Sequence, residues 1–289
     1  MQYVILASFI AALLWGLEDA LSKKPVDAIG ISITTIIILV SGLIPIAIIA
    51  LFYNAPMTSI ELALSSVAGI FWGLGFILIY KSVSTENVTS TYVINEILPA
   101  AIILFGVLGL KEHISSLNSV LMAFIFIGAV LVMLMDNLKL NKRLLYALFA
   151  NFSWAVFWIL MITTIDMSRH FAMPLLIARI IATASIAIFF IGVIRRSGTK
   201  SVLKKFPNRG MFYLPFAIAI LIGVIDGLGN DMFGFVSTTS FVALGGGIIA
   251  ISPIVVAILG RIWYKDRLVV VQWIGFGIMV IAAILMALF

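Results

Sequence analysis

Five acids and one arginine stand inside long apolar runs of this 289-residue chain: Glu18, Asp19, Glu96, Asp226, Asp231 and Arg179. A charge at mid-membrane costs roughly 2.5–3.5 kcal/mol on insertion scales, so each is read first as a functional group. Glu18 lies one helical turn after Trp15, on the same face. A carboxylate beside an aromatic ring suits holding a cation or carrying a proton. Glu96 follows Asn95 and stands one turn before Pro99. The proline lacks an N–H, and the carbonyl it frees can face a cavity. Glu96 is therefore read as a substrate or proton ligand, or else as a buried, neutral carboxyl bonded to a neighbouring helix; Asn95 either orients it or bonds a backbone group. Asp226 and Asn230 are four apart and share a face. Asp231, five from Asp226, is turned to another face. Arg179 lies about one-third into its run, where an unpaired guanidinium is costly. Two roles stay open for it: an ion pair with Asp226, Asp231 or Glu96, or a clamp on a substrate carboxylate. Trp15, Trp72 and Trp154 are the aromatic candidates for a cavity wall. The deep acids outnumber the one deep base. A net negative cavity favours a cationic or zwitterionic small molecule and admits protons as the coupling ion. Cation–π attraction adds about 0.5–2 kcal/mol.

Other chemistries find little support. Cysteine is absent, so thiolate metal sites and disulfides are excluded. No His/Cys/carboxylate cluster has metal-ligand spacing, and neither a metal nor an organic cofactor is expected. No Ser/His/Asp set stands in a supporting motif. A membrane enzyme acting on lipids would need an acidic pair such as DxxxD on one face, and the five-residue spacing of Asp226 and Asp231 does not provide it. The chain is read as a non-enzyme. Gly245-Gly246-Gly247 lacks the context of a phosphate loop; it is either a flexible helix start or an approach point for substrate.

The elements that must position these groups follow from composition. Apolar residues make up 63% of the chain and charged ones 10%, against about 45–50% and about 25% in soluble domains. A spanning helix takes about 20 predominantly apolar residues, and ten such runs appear: Tyr3–Ser22, Ala28–Tyr53, Ile60–Tyr80, Val88–Leu110, Ser116–Met135, Arg143–Ile165, Phe171–Ile194, Met211–Phe235, Thr238–Gly260 and Leu268–Phe289. They are apolar on every face, so they are helices rather than barrel strands. The fold class is all-α integral membrane. The first run has no basic segment or cleavage site and is read as a span, not a signal peptide. The net charge of +6 collects in particular loops, which points to membrane orientation and not to nucleic acid. The basic loops 23–24, 139–143, 195–209 and 261–267 are predicted cytoplasmic, in a multi-pass protein of the cell membrane. Lys111 and Arg169 lie on the other side. An even number of spans then places both termini outside.

The chain also repeats itself. A shift of roughly 154 residues lays Gly69–Leu134 on Gly223–Leu288 without a gap. Gly69, Gly73 and Gly75 fall on Gly223, Gly227 and Gly229. Pro99 falls on Pro253, Gly106 on Gly260, and Lys111-Glu112 on Lys265-Asp266. Trp15 pairs with Trp154. The repeats are 1–136 and 137–289, with five spans each, and an odd number inverts the second repeat relative to the first. Such halves suit alternating access. Gly69-xxx-Gly73 and Gly223-xxx-Gly227 are read as close helix contacts. One chain holds both halves, so a monomer is sufficient.

These residues resemble a known family. Leu-Leu-Trp15-Gly16 in the first span, Pro99 followed by Gly-Leu-Lys111-Glu112 in the fourth, and Pro174-Leu-Leu-Ile-Ala-Arg179 in the seventh are similar to the EamA-type drug/metabolite transporters. Pro253 and Tyr264-Lys265-Asp266 repeat the pattern. The resemblance covers nearly the whole chain. It implies a secondary transporter, often an exporter, of amino acids and other small metabolites, coupled to protons or working by exchange. It also implies a central cavity lined by spans 1, 3, 4, 6, 8 and 9. Two features depart from the family: the span 2 counterpart of Arg179 is placed at Ile33-Thr34-Thr35, which is not basic, and the basic loops are opposite to most relatives. Amino acids or related amines are the first substrate class, broad organic cations the alternative.

Overall fold

The structure is a computed structural model, and it describes residues 1–53, 55–84, 88–92, 97–133, 142–197, 213–265 and 269–288. All elements among the described residues are helical: α1 (Gln2–Ile29), α2 (Ile31–Phe52), α3 (Ser59–Val83), α4 (Val88–Tyr92), α5 (Ile97–Leu108), α6 (Ser116–Met133), α7 (Lys142–Ser168), α8 (Ala172–Ser197), α9 (Tyr213–Ser237), α10 (Val242–Ile249), α11 (Ser252–Tyr264) and α12 (Val270–Leu288). Seven apolar stretches among them are long enough to cross a bilayer: α1, α2, α3, most of α7 and α8, α9, and the stretch Val242–Tyr264 that joins α10 and α11. Leu98–Leu108, Ser116–Gly128 and Trp273–Met286 are apolar but shorter. The chain is thus a multi-pass membrane protein. Large apolar side chains face outward along it, as at Val40, Ile44, Ile48 and Leu51 on one side of α2, where a bilayer takes the place of water.

Several boundaries differ from the sequence reading. The first span does not end at Ser22: α1 runs on through Lys23, Lys24 and Pro25. The basic pair 23–24 is therefore helical and not a loop. Lys23 Nζ holds this extension to α3, donating to the Val83 carbonyl at 3.0 Å, and pairs within α1 with Asp27 at 3.4 Å. Lys24 lies 4.8 Å over the Trp263 ring. Arg195 and Arg196 likewise belong to the last turn of α8, and Arg261 to α11. The fourth span is represented by α4 and α5, on either side of residues 93–96; Asn95 and Glu96 lie outside the described residues. The ninth starts at Val242 and is broken at Ala250–Ile251. Pro253 has no N–H to continue the α-helical ladder, and the break is closed by three-residue turns, Ile251 N–H to Ile248 and Ile254 N–H to Ile251, at 3.2 and 3.0 Å.

The helices pack mainly across the two halves of the chain. α1 lies on α9 and α3 on α7; α2 lies on α9 and α3 on α8; α6 lies on α12, α2 on α8, and α5 on α10. Glycines set these approaches. A Cβ on Gly69 would strike the Ala178 carbonyl, and one on Gly73 would meet Ile186 at 2.8 Å. On the other side of the bundle, a Cβ on Gly223 would strike Ile38 and Ser41, and one on Gly227 would meet the Gly42 carbonyl at 2.6 Å. Close approach of this kind is what small residues give membrane helices. Gly75 rests against the Trp154 indole, and Gly229 against that of Trp15. The triplet Gly245–Gly247 is neither a flexible start nor a substrate approach. It sits fully buried inside α10 and packs against Val236 and Ser8, Ile102, and Met286 and Met122.

The turns match as well. Lys111 and Lys265 both adopt left-handed backbone, with φ of 56° and 60°. Glu112, beyond the first of these turns, accepts the Val242 and Ala243 N–H groups at 2.8 Å each. It thereby satisfies two free donors at the start of α10.

Candidate functional site

A central cavity encloses ≈ 550 Å³ of empty space, its open mouth included. Its acidic side is built by α1 and α9. Trp15, Glu18 and Asp19 come from consecutive turns of α1, and Asp226 and Asn230 from one face of α9. Its aromatic side comes from α3 and α7: Trp72 and Phe76, then Trp154, Phe157 and Trp158. The ends of α5, α10 and α11 close it with Leu98, Pro99, Ile249 and Ser252. Spans 1, 3, 4, 6, 8 and 9 therefore supply the lining.

The four-residue spacing of Asp226 and Asn230 does what the helix geometry requires. Asn230 Nδ2 donates to the Asp226 backbone carbonyl at 2.7 Å and to its Oδ1 at 2.8 Å. The other Asp226 oxygen, Oδ2, accepts from Arg179 Nη1. Arg179 is fully buried, and its other two nitrogens also donate: Nε to the Leu39 carbonyl at 2.9 Å and Nη2 to the Ile38 carbonyl at 2.7 Å. Its guanidinium carbon lies 4.6 Å from the Trp72 ring centre. The opposite face of Trp72 stacks on Phe157 at 4.5 Å. Arg179 thus stands behind the cavity wall as a framework ion pair, and it does not line the cavity. Gly42 of α2 leaves the room for the Arg179 side chain, since a Cβ there would strike the guanidinium.

The other candidates separate. Glu18 and Asp19 line the cavity and are 5% and 8% exposed. Trp15 joins a ring cluster, 5.9 Å from both Trp158 and Phe233. Asp231 is 1% exposed and does not line the cavity. Among the described residues, neither of its carboxylate oxygens has a hydrogen-bond partner. Glu96 and Asn95 lie outside the described residues. Among the described residues, no group of three potential ligands could hold a metal ion.

Sequence reading missed Phe76, Phe157, Ile249 and Ser252. The repeat held the signal. A shift of 154 carries Trp72, Phe76, Leu98 and Pro99 onto Asp226, Asn230, Ser252 and Pro253, and a shift of 139 carries Trp15, Glu18 and Asp19 onto Trp154, Phe157 and Trp158. All of these except Pro253 line the cavity. At four of these pairs, an acid or amide in one half corresponds to an aromatic ring in the other. The same comparison corrects the second-span counterpart of Arg179. Gly69 packs at Ala178 and Gly223 at Ile38, so the position equivalent to Arg179 is Leu39 and not Ile33–Thr35.

The EamA-like transporter family model matches residues 2–134. That family is part of the drug/metabolite transporter superfamily, and its members are membrane transporters of small molecules. No curated protein matches the chain in sequence. A solved protein crystal structure is similar in fold, with a TM-score of 0.68 over 97% of this chain and 94% of that one, at 14% identity. The EamA-like match ends just after α6, the last helix before the second half begins.

Proposed function

We propose that the chain is a carrier that moves small organic cations, amines in the first place, across the cell membrane by alternating access. The observation that carries this is the composition of the cavity wall. Carboxylates of Glu18, Asp19 and Asp226 face a wall of Trp72, Phe76, Trp154, Phe157 and Trp158, and no lysine or arginine lines the cavity among the described residues. A cation finds acids and ring faces there. An amino-acid zwitterion finds no partner for its carboxylate in the lining, because Arg179 is buried behind the wall and paired with Asp226. Amines therefore rank above amino acids, which remain the second reading.

The architecture behind this reading is ten spans in two inverted repeats, residues 1–136 and 137–289. The paired packing of α1 on α9 with α3 on α7, and of Gly75 on Trp154 with Gly229 on Trp15, supports it. So does the shared left-handed turn at Lys111 and Lys265. Two equivalent halves can exchange conformations and open the cavity to either side. Helices of one chain enclose the cavity, which makes the monomer the working unit. The basic ends face the cytoplasm and both termini lie outside. An integral-membrane enzyme is not favoured by any group in the cavity.

The test is uptake of labelled amines and amino acids into proteoliposomes, for the parent, Glu18→Gln and Trp72→Leu. A charge-assisted contact is worth about 1.5–3 kcal/mol, so Glu18→Gln is expected to weaken amine affinity by roughly 10- to 100-fold. Trp72→Leu is expected to weaken aromatic amines more than alkyl ones. Transport of amino acids but not of amines would overturn the substrate class. No flux by well-folded protein across the panel would overturn the carrier reading.

A further inference from the structure

We propose that Asp231 is the proton-carrying site of the transport cycle, spatially separate from the cavity that takes the cation. The inference rests on the carrier reading above. Asp231 stands on α9 five residues after Asp226, about 7.5 Å further along the axis and about 140° around it. One turn before it, Gly227 touches Gly42 and Pro45 of α2; three residues after it, Gly234 touches Leu175 of α8 and Phe171 just before that helix. Asp231 therefore occupies the junction of α2, α8 and α9, away from the cavity.

Among the described residues, nothing in that junction neutralises a carboxylate, and neither oxygen has a hydrogen-bond partner. α2 and α10 carry no ionisable side chain. From α8 the facing charge is Arg179, and from α9 it is Asp226, and these two are paired with each other. The other arginines of α8, Arg195 and Arg196, lie in its last turn. On α7, Asp166 pairs with Arg169 at 3.1 Å. On α1, Glu18 and Asp19 face the cavity, and Lys23 pairs with Asp27. His170 sits in the turn before Phe171. An ionised, unpartnered carboxylate at such depth is strongly disfavoured, and a proton is the one partner small enough to reach it.

The fold itself does not need an acid there. The repeat counterpart of Asp231 is Ile77, which packs against the core of the first half. A permanently neutral aspartic acid would leave its hydroxyl unsatisfied, at a net disadvantage against an apolar side chain. The acid becomes useful when the glycine-lined contacts of α2 and α8 on α9 part and admit water. The charge logic gives the coupling its sign. A cation seated by Glu18 and Asp226 offsets the negative potential along α9, so Asp231 gives up its proton to water. With the cavity empty, the proton returns. Cation and proton thus alternate, and protons moving inward drive the cation out.

The experiment compares the parent, Asp231→Asn and Asp231→Glu in proteoliposomes, with labelled phenethylamine and choline as probes. Counterflow, from vesicles loaded with the unlabelled amine, is read beside accumulation under an imposed pH gradient. Asp231→Asn is expected to retain counterflow and to lose gradient-driven accumulation at least tenfold. In detergent, it should bind the amine without releasing a proton, where the parent releases one. Asp231→Glu is expected to retain accumulation with a displaced pH profile. The proposal is overturned if Asp231→Asn accumulates like the parent, if monodisperse Asp231→Asn loses counterflow as well, or if Asp231→Glu leaves the pH profile unmoved. A parent that shows counterflow without gradient-driven accumulation also overturns it and leaves the carrier standing. A parent with no counterflow of either amine sinks the carrier reading, and this proposal falls with it.

Discussion

Arg179 of α8 donates to Asp226 of α9, and both partners are buried, with Arg179 fully so. The same guanidinium spans three elements, because its other donors reach two carbonyls of α2. Removing one partner of such a pair leaves a buried charge and costs roughly 3–5 kcal/mol. Arg179→Leu is therefore expected to lower Tm in detergent by several degrees. The double variant Arg179→Leu/Asp226→Asn should recover part of that loss. Arg179→Lys should behave like a loss, since an ammonium cannot reproduce the planar fork. Equal Tm values for the single and double variants would show that the pair is not coupled.

The indoles of Trp15 and Trp154 rest on Gly229 and Gly75. A Cβ on Gly229 would stand 2.7 Å from the Trp15 indole nitrogen. Overpacking of this sort costs about 1–3 kcal/mol. Gly229→Ala and Gly75→Ala are each expected to lower Tm and to narrow the cavity by displacing the ring. Trp15→Phe should rescue Gly229→Ala and do nothing for Gly75→Ala; Trp154→Phe should do the reverse. Thermal melts of the four combinations decide it, and rescue without that partner specificity would contradict the packing.

Much of this site was legible in the residues. The Asp226–Asn230 spacing, the Trp15–Glu18 turn and the need of Arg179 for an acid follow from helix geometry and from the cost of a lone charge. Pairing was legible as one of three choices, and only the packing of α8 on α9 picks Asp226. Other features depend on partners that a single segment cannot show. α1 continues past Lys23, Lys24 and Pro25, where Val83 of α3 and Trp263 of α11 receive the two lysines. Phe157 reads as ordinary core until the repeat register places it opposite Glu18. The glycine triplet in α10 reads as flexible from composition, yet side chains of five neighbouring helices fill the space beside it.

Glu112 reaches across the chain to the first N–H groups of α10. A side-chain cap is worth about 0.5–2 kcal/mol, and the negative charge adds to it at a helix N-terminus. Glu112→Gln is expected to cause a small loss of Tm and Glu112→Ala a larger one. Hydrogen exchange should quicken at Val242 and Ala243 in both. Unchanged exchange at these two amides would show that another group satisfies them.

The chain has no cysteine, which makes single-cysteine labelling unambiguous. His113 and Arg261 are exposed at opposite ends of the predicted topology. With the basic side cytoplasmic, an impermeant maleimide on intact cells is expected to label His113→Cys. Arg261→Cys should react only after permeabilisation. The opposite pattern would invert the protein in the membrane and place both termini inside.

The crosswise packing of the two halves also constrains how the protein is made. α1 finds α9, α3 finds α7 and α8, and α6 finds α12, so helices of the first half meet their main partners only when those of the second half arrive. Until then the acids of α1 lack Asp226 and Asn230 beside them, and the glycine faces of α3 look onto lipid or the translocon. The early half must wait in the membrane as an unfinished surface, which makes completion of the chain, rather than insertion of any one helix, the step that commits it to its final shape.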